Sequence, residues 1–83
     1  MARLTGTVAR RNAPAQGAYV QLRNLGGDFQ AEIRTGEDGR YTFHPVPGRW
    51  RLVWFAPRSA ITERVVEVGP GDEDLVVNLT LEE

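Results

Sequence analysis

The sequence predicts an all-β fold, a seven-stranded antiparallel sandwich of two sheets, and three features of the chain support this prediction. Apolar and polar residues alternate with period two in segments of about five to eight residues. Clusters of Gly, Pro, Asn and Asp separate these segments at spacings of about 8 to 12 residues, as is typical of sandwiches and barrels. No helical period competes with the alternation. Two packed sheets are favoured because one flat sheet would leave its apolar side in water, and a closed barrel is the alternative.

Length and composition restrict the class of protein. A chain of 83 residues supports one hydrophobic core, so we expect a single domain over residues 1–83. The 10 basic residues, all arginine, nearly balance the 11 acidic ones, which disfavours binding to nucleic acid or an anionic membrane. Cysteine is absent, which excludes disulfides and thiolate zinc sites. Because no long apolar stretch marks a signal peptide or membrane span, we expect a cytoplasmic protein.

The first two strands are predicted from alternation on either side of a breaking loop. Leu4–Val8 places every second residue on an apolar face, and the loop Arg10–Gly17 ends this strand with Asn, Pro and Gly. Ala18–Asn24 alternates in the same way. The following Gly26-Gly27 pair predicts a hairpin, because glycine adopts positive φ at little cost.

The third and fourth strands are predicted at Phe29–Thr35 and Arg40–Val46, joined by a tight turn at Gly36–Gly39. Alternation in the third strand places three residues on its inner face, Phe29, Ala31 and Ile33. The prolines and the glycine that end the fourth strand cannot continue a sheet ladder.

The last three strands are predicted at Arg49–Ala56, at about Ile61–Val68 and at about Asp74–Leu81, with the turn Gly69–Gly71 before the last. The fifth carries large side chains on both faces, so both faces are expected to be partly covered. The seventh has a row of inward apolar residues, Leu75, Val77, Leu79 and Leu81.

Four segments also carry a shared pattern: Gly6–Val8, Pro14–Leu22, Thr35 with Asp38–Phe43, and Pro47–Trp50. Together they resemble carboxypeptidase regulatory-like domains of the transthyretin-like β-sandwich type over residues 4–56. The resemblance implies the fold and a non-catalytic accessory module that packs on or beside other proteins. An enzyme with this fold hydrolyses 5-hydroxyisourate, but its several histidines and C-terminal Tyr-Arg-Gly-Ser are absent from this chain.

A narrower resemblance rests on Gly27–Glu32 followed by Pro47–Trp50. These segments are similar to a small actinobacterial family of unknown function that has this fold and is often found beside a rhodanese-type sulfurtransferase. This chain lacks the cysteine near the start of that family, which speaks against a thiol-based role.

The sequence offers little catalytic or metal-binding chemistry. His44 and Ser59 are the only residues of their types, and no Gly-x-Ser-x-Gly elbow supports a triad with Asp72 or Asp74. The acidic run at 72–74 does not match the ligand spacing of a calcium loop and is expected to be a charged turn. We therefore predict a non-enzyme with no metal or cofactor.

The fifth predicted strand indicates where a partner would bind. If Trp50 and Trp54 fill the core, the intervening residues point outward and form an apolar surface bordered by arginine. The predicted contact surface has six members, Tyr19, Arg51, Val53, Phe55, Val65 and Val76. The prediction is a protein-interaction or scaffolding module with a protein partner or a homodimer contact. The alternative is a carbohydrate- or peptide-binding module that uses exposed aromatics or a sheet edge.

Overall fold

Two β-sheets make up the part of the chain that the computed structural model describes, residues 2–82, and no helix is present in it. One sheet has five strands and the other has four. The strands are β1 (Leu4–Arg10), β2 (Ala13–Pro14), β3 (Tyr19–Arg23), β4 (Phe29–Arg34), β5 (Arg40–Phe43), β6 (Gly48–Phe55), β7 (Thr62–Val68), β8 (Leu75–Val76) and β9 (Leu79–Thr80). The predicted all-β class and the division into two sheets are confirmed. With no helix between residues 2 and 82, that range holds no helical membrane span.

The four-stranded sheet has the order β4-β3-β6-β7, and every neighbouring pair in it is antiparallel. Val20 lies opposite Ile33 on one side and Trp54 on the other, so the apolar residues of three strands share one face. Trp54 and Leu52 are buried against the second sheet. The period-two pattern of the sequence thus places one face of this sheet in the core.

The five-stranded sheet is built around β1 and is not purely antiparallel, so that part of the prediction is wrong. β5 and β2 pair with β1 in antiparallel orientation, whereas β8 and β9 run parallel to it. The predicted seventh strand is interrupted at Asn78, whose Oδ1 accepts hydrogen bonds from the backbone N of Thr7 (3.2 Å) and from its Oγ1 (3.3 Å). The side-chain amide therefore takes the place of a backbone acceptor between β8 and β9.

The loop predicted between the first two strands contains the short strand β2. Pro14 lies opposite Ala9 although proline was expected to prevent pairing here. Arg11 (φ 51°) and Asn12 (φ 66°) form the left-handed two-residue turn that joins β1 to β2. Pairing is tolerated because β2 is a strand of two residues at the end of the sheet, where a missing N–H donor is acceptable.

Tyr41 is the largest fully buried side chain among the described residues. It links β5 to the segment between β8 and β9, on the other side of β1. Its ring lies beside Gly6, and its hydroxyl donates a hydrogen bond of 2.5 Å to the carbonyl of Val77. Burial raises the pKa of the Tyr41 phenol well above its usual range, and the nearby Arg64 guanidinium opposes this effect. The phenol is therefore a neutral, permanent donor at physiological pH.

Thr35 is the buried polar residue of the core, and both of its hydrogen-bonding functions are used. Its hydroxyl donates to the carbonyl of Ala15 (2.6 Å) and accepts from the backbone N of Ala18 (2.9 Å). These two bonds tie the end of β4 to the loop that precedes β3, so a buried hydroxyl carries no desolvation penalty here.

Candidate interaction surface

Five of the six residues in the predicted contact surface lie together on the side of the four-stranded sheet that faces away from the core, here called the outer face. The pairing registers place Tyr19 opposite Phe55 and Arg51 opposite Val65. Val53 lies between Arg51 and Phe55 on β6, two residues from each, and therefore points to the same side. Directly opposite residues share a face, and the alternate residues of the same strands are in the core. The outer face is therefore a continuous surface across β3, β6 and β7.

Val76 does not belong to this surface. It lies on β8 opposite Thr5, in the five-stranded sheet, with 62% of its surface exposed. The sequence indicated that Val76 points away from the core, but it could not indicate which sheet the residue joins. The parallel pairing of β8 with β1 places Val76 on the other side of the sandwich.

An aromatic stack occupies one end of the outer face. The rings of Tyr19 and Phe55 have centroids 5.4 Å apart and an interplanar angle of 20°. The guanidinium carbon of Arg34 lies 5.7 Å from the Tyr19 ring centroid, which is within range of a cation–π interaction. Arg34, Tyr19 and Phe55 thus stack across three neighbouring strands, β4, β3 and β6, with both rings half-buried.

The two valines of the outer face differ in exposure. Val65 on the outermost strand β7 is 52% exposed, whereas Val53 on the central strand β6 is only 7% exposed. Val53 lies between Gln21 and Glu63 on the neighbouring strands, and these long side chains border it on both sides. Among the predicted contact residues, the accessible apolar ones on this face are therefore Val65 and the half-buried aromatic pair.

Polar side chains connect β3 and β4 on the outer face. The side-chain amide of Gln21 donates to Glu32 Oε2 at 2.8 Å, and its Oε1 accepts from Arg23 Nε at 3.0 Å and from Arg23 Nη2 at 2.8 Å. Arg23 also donates to the carbonyl of Gly27 at 2.8 Å. This network fixes the guanidinium of Arg23 on the sheet surface and reduces the entropy that it would lose on binding.

Arg51 lies at the centre of the face with its hydrogen-bonding capacity only partly used. Its Nη1 is 3.8 Å from Glu63 Oε1, and its Nη2 donates to the carbonyl of Leu25 at 3.4 Å. The Arg51 Nε atom is buried and has no hydrogen-bond partner within residues 2–82. Both contacts of the guanidinium are long, so Arg51 retains donor capacity for an external acceptor.

Phe29 belongs to the outer face, and its predicted inward orientation is wrong. The pairing of β3 with β4 shifts between Leu22 and Arg23, so that Arg23 lies opposite Phe29 and Gln30 has no partner. This bulge turns Phe29 to the outer face, where it is 54% exposed with the Arg23 guanidinium 5.7 Å from its ring centroid. Simple alternation in the sequence gives no signal of such a shift.

The tryptophans do not form an exposed aromatic platform. Trp54 is 5% exposed, and its Nε1 donates to the carbonyl of Thr80 at 2.9 Å. Trp50 is half-buried, with Nε1 bonded to the carbonyl of Val46 at 2.9 Å. One edge of Trp50 lines a cleft of about 340 Å³ between the two sheets, beside Phe43 and Ala31.

His44 and Ser59 lie at opposite ends of the sandwich. His44 precedes the first residue of β6 and Ser59 follows its last, so the length of an eight-residue strand separates them. The Ser59 hydroxyl is used within its own turn, where it bonds to the backbone N of Ala56 (2.8 Å) and to its carbonyl (2.9 Å). Within residues 2–82, no three His, Cys, Asp or Glu side chains are grouped so that they could hold a metal ion.

Comparison with known proteins gives a fold and a family. No curated protein matches the sequence. Solved structures that match include a DUF3823 family protein from Parabacteroides merdae ATCC 43184, with 18% identity and a TM-score of 0.66. The alignment covers 98% of this chain and 45% of that chain, so this chain spans less than half the length of the matched protein. At this identity the likeness shows the fold alone.

The family is given by a match over residues 1–79 to the model described as "Protein of unknown function (DUF1416)". The expectation of a small β-domain from a family of unknown function is confirmed. Because the match takes in nearly the whole sequence, the chain belongs to this DUF1416 family.

Proposed function

We propose that this chain is a non-catalytic protein-interaction module of the transthyretin-like, carboxypeptidase regulatory-like type, and that it binds its partner through the outer face. The observation that carries the proposal is the stack of Arg34, Tyr19 and Phe55 beside the exposed Val65. Aromatic residues and arginine are the types enriched at the cores of protein interfaces.

The construction of the face supports protein binding over simple solvation. The stacked rings and the hydrogen-bonded Arg23 are already held in place, so binding would immobilise few additional rotamers. Arg51 adds a central donor, because its side chain is 32% exposed and both contacts of its terminal nitrogens are long, 3.8 Å to Glu63 and 3.4 Å to the carbonyl of Leu25. An acceptor on the partner would give these terminal nitrogens a shorter hydrogen bond.

The charges of the face indicate a mixed partner surface. Four arginines and three glutamates share the face, Arg23, Arg34, Arg49, Arg51, Glu32, Glu63 and Glu67, as the registers show. The one ion pair at its far end, Arg49 with Glu67 at 3.4 Å, is well exposed and contributes little to stability. Arg49 and Glu67, whose side chains are 67% and 71% exposed, can therefore exchange this contact for complementary charges on a second protein.

The absence of cysteine from the chain allows a direct test, because a single introduced cysteine is a unique attachment point. Val65→Cys and the control Val76→Cys place a photoreactive maleimide at two similarly exposed valines, 52% and 62%, on opposite sides of the sandwich. The purified variants are labelled first and then mixed with an extract of cells that make this chain; irradiation followed by mass spectrometry identifies what each position touches. A second copy of the chain or a defined partner crosslinked from position 65 alone supports the outer face.

The variant Val65→Glu checks that the crosslinked complex is specific. It replaces the exposed apolar side chain with a carboxylate that lies opposite Arg51 and can occupy its donors, and is expected to abolish association without unfolding the exposed strand end. Identical crosslinks from positions 65 and 76, or a complex that persists in Val65→Glu, would contradict the proposal.

A second candidate is peptide binding along β4. Within residues 2–82 this strand pairs only with β3, so its other edge offers backbone groups for pairing with a peptide, and the cleft of about 340 Å³ lined by Trp50, Phe43 and Ala31 opens beside it. An extended peptide added to β4 would place a side chain in the cleft. Crosslinking from Gln30→Cys rather than from Val65→Cys would favour this candidate over the outer face.

A further inference from the structure

A cleft with a volume of about 700 Å³ lies at one end of the sandwich, and arginine supplies its charge. The loop before β3, the turn after β6 and the end of β1 form its walls. Its charged lining residues are Arg10, Arg34 and Arg58, and no carboxylate of residues 2–82 is part of the lining. We call this feature the arginine cleft.

Two of the arginines are held in position by contacts with other segments. Arg10 Nη2 donates to the carbonyl of Pro57 at 3.2 Å, which joins β1 to the opposite wall. Arg34 lies over the Tyr19 ring and against Gly17, where an added Cβ would be 3.4 Å from Arg34 Nη2. A Cβ at that distance would be in ordinary van der Waals contact with the guanidinium, so glycine is favoured at position 17 by its φ of 76° rather than by space.

The third arginine has an unusual backbone conformation. Arg58 has φ 67°, in the left-handed region that residues other than Gly, Asn and Asp seldom adopt. The turn is closed by a hydrogen bond from the backbone N of Ser59 to the carbonyl of Ala56 at 3.1 Å. Neither Arg58 nor Arg34 forms a salt bridge within residues 2–82, so these two exposed guanidinium groups have no carboxylate partner in that range.

The opposite end of the molecule is acidic. Glu67, Glu73 and Asp74 line a second cleft, of about 420 Å³, beside the turn at Gly69–Gly71. β1 runs from the neighbourhood of Asp74, which pairs with Arg3 at 2.8 Å, to Arg10 at the arginine cleft. The nearly balanced net charge of −1 thus conceals a basic end and an acidic end along a molecule about 35 Å long.

We propose that the arginine cleft binds an acidic segment of a partner protein, through at least two of its carboxylates. Guanidinium groups bind carboxylates through paired N–H donors, and the two exposed ones that line the cleft, Arg34 and Arg58, suit a segment with at least two acidic side chains. Ala56, Pro57 and Leu81 supply apolar lining for the stems of such side chains. The proposal rests on the proposed role in protein binding, and Arg34 joins the cleft to the outer face.

The backbone of the cleft favours carboxylate side chains over a bound phosphate. Phosphate sites in proteins commonly use converging free backbone N–H groups. Here the N–H of Ala15 donates to the carbonyl of Val8 (2.8 Å), and that of Gly17 donates to the carbonyl of Thr35 (2.9 Å). Because these two amides are occupied, the guanidinium forks are the charged donors that the cleft presents, and the acidic far end disfavours the long phosphate backbone of a nucleic acid.

The test is fluorescence anisotropy with fluorescein-labelled octaglutamate as the probe and labelled octaglutamine as its neutral control. We expect saturable binding of octaglutamate that weakens as salt is raised, and no binding of octaglutamine. Arg34→Gln and Arg58→Asn should each weaken binding about tenfold or more, since each removes charge-assisted hydrogen bonds. Asparagine tolerates the left-handed conformation at position 58, so that variant keeps its fold.

Arg40→Gln is the matched control, because it removes the same charge from an exposed strand residue outside the cleft. It should leave the affinity nearly unchanged. Equal weakening in all three variants, or no saturable binding in the wild type, would overturn the proposal. So would displacement of octaglutamate by inorganic phosphate at concentrations where glutarate has no effect. Val65→Glu should retain octaglutamate binding, so a failure of the outer face and a failure of the cleft give different results.

Discussion

Replacing Gly6 with alanine is expected to destabilise this domain more than an alanine at any other glycine of the chain. Gly6 lies in the middle of β1, beside Val77 in the segment between the parallel strands β8 and β9. A Cβ at this position would be 2.0 Å from the carbonyl oxygen of Val77 and 3.1 Å from the Tyr41 ring. The glycine is needed for this close approach of two backbones rather than for an unusual φ.

The magnitude follows from what must move. Restoring contact at 3.4 Å from 2.0 Å requires the two backbones to separate by roughly 1.4 Å. That shift strains the hydrogen bond from the Val77 N to the Thr5 carbonyl (2.8 Å) and the one from the Tyr41 hydroxyl to the Val77 carbonyl (2.5 Å). Overpacking and two weakened bonds together cost about 3 kcal/mol. A domain of this size has a total stability of about 4 to 12 kcal/mol.

Urea unfolding followed by tryptophan fluorescence measures the effect, because Trp54 is buried in the native state. In thermal unfolding followed by the same signal, the melting temperature should fall by about 12 to 24 °C for a loss of this size. Gly69→Ala is the control, since a Cβ there meets nothing within 4 Å, and its stability should change by less than about 0.5 kcal/mol. A loss below about 1 kcal/mol in Gly6→Ala would refute the reasoning from close approach.

Three further predictions concern buried hydrogen bonds and one surface ion pair. Tyr41→Phe leaves a buried carbonyl without its donor and should lower the free energy of unfolding in urea by about 1 to 3 kcal/mol. Thr35→Val breaks two buried hydrogen bonds and should cost a similar amount, about 1 to 3 kcal/mol, whereas Thr35→Ser keeps the hydroxyl and most of the stability. The hydrogen bond from Arg3 lowers the pKa of Asp74 below its usual value of 3.8. The ion pair therefore stabilises the fold fully above that pH, and this contribution is lost as the pH falls through the lowered pKa of Asp74 in the folded protein. NMR titration should show the Asp74 pKa returning toward 3.8 in Arg3→Gln, and an unchanged value would contradict the assignment.

Much of the fold was predictable because alternation reports directly which side chains face the core. The inward placement of Leu52 and Trp54, and of Leu79 and Leu81 near the end of the chain, follows from period two alone. The direction of pairing was not predictable, since alternation is the same in parallel and antiparallel strands. The break at Asn78 depends on a side chain from one strand that bonds to the backbone of another.

For the candidate surface, the local pattern again predicted which side chains point outward but not which strands pair. Tyr19, Phe55 and Val65 share a face because each stands at an outward position of neighbouring strands. Val76 also points outward, but sheet membership depends on pairings between distant segments, which the local pattern does not contain. Phe29 was placed on the wrong face because a bulge inserts one residue and reverses the alternation beyond it.

The parallel pairing of β8 and β9 with β1 has a consequence for how the chain folds. β1 forms its contacts with these strands across about 71 residues of sequence, as the bonds between Thr7 and Asn78 show. One side of β1, the central strand of its sheet, therefore stays unpaired until nearly all of these residues are available. Contacts of such high sequence separation slow folding, because a long loop must close before they form. During synthesis on the ribosome, one edge of β1 therefore stays open until β8 and β9 have been made.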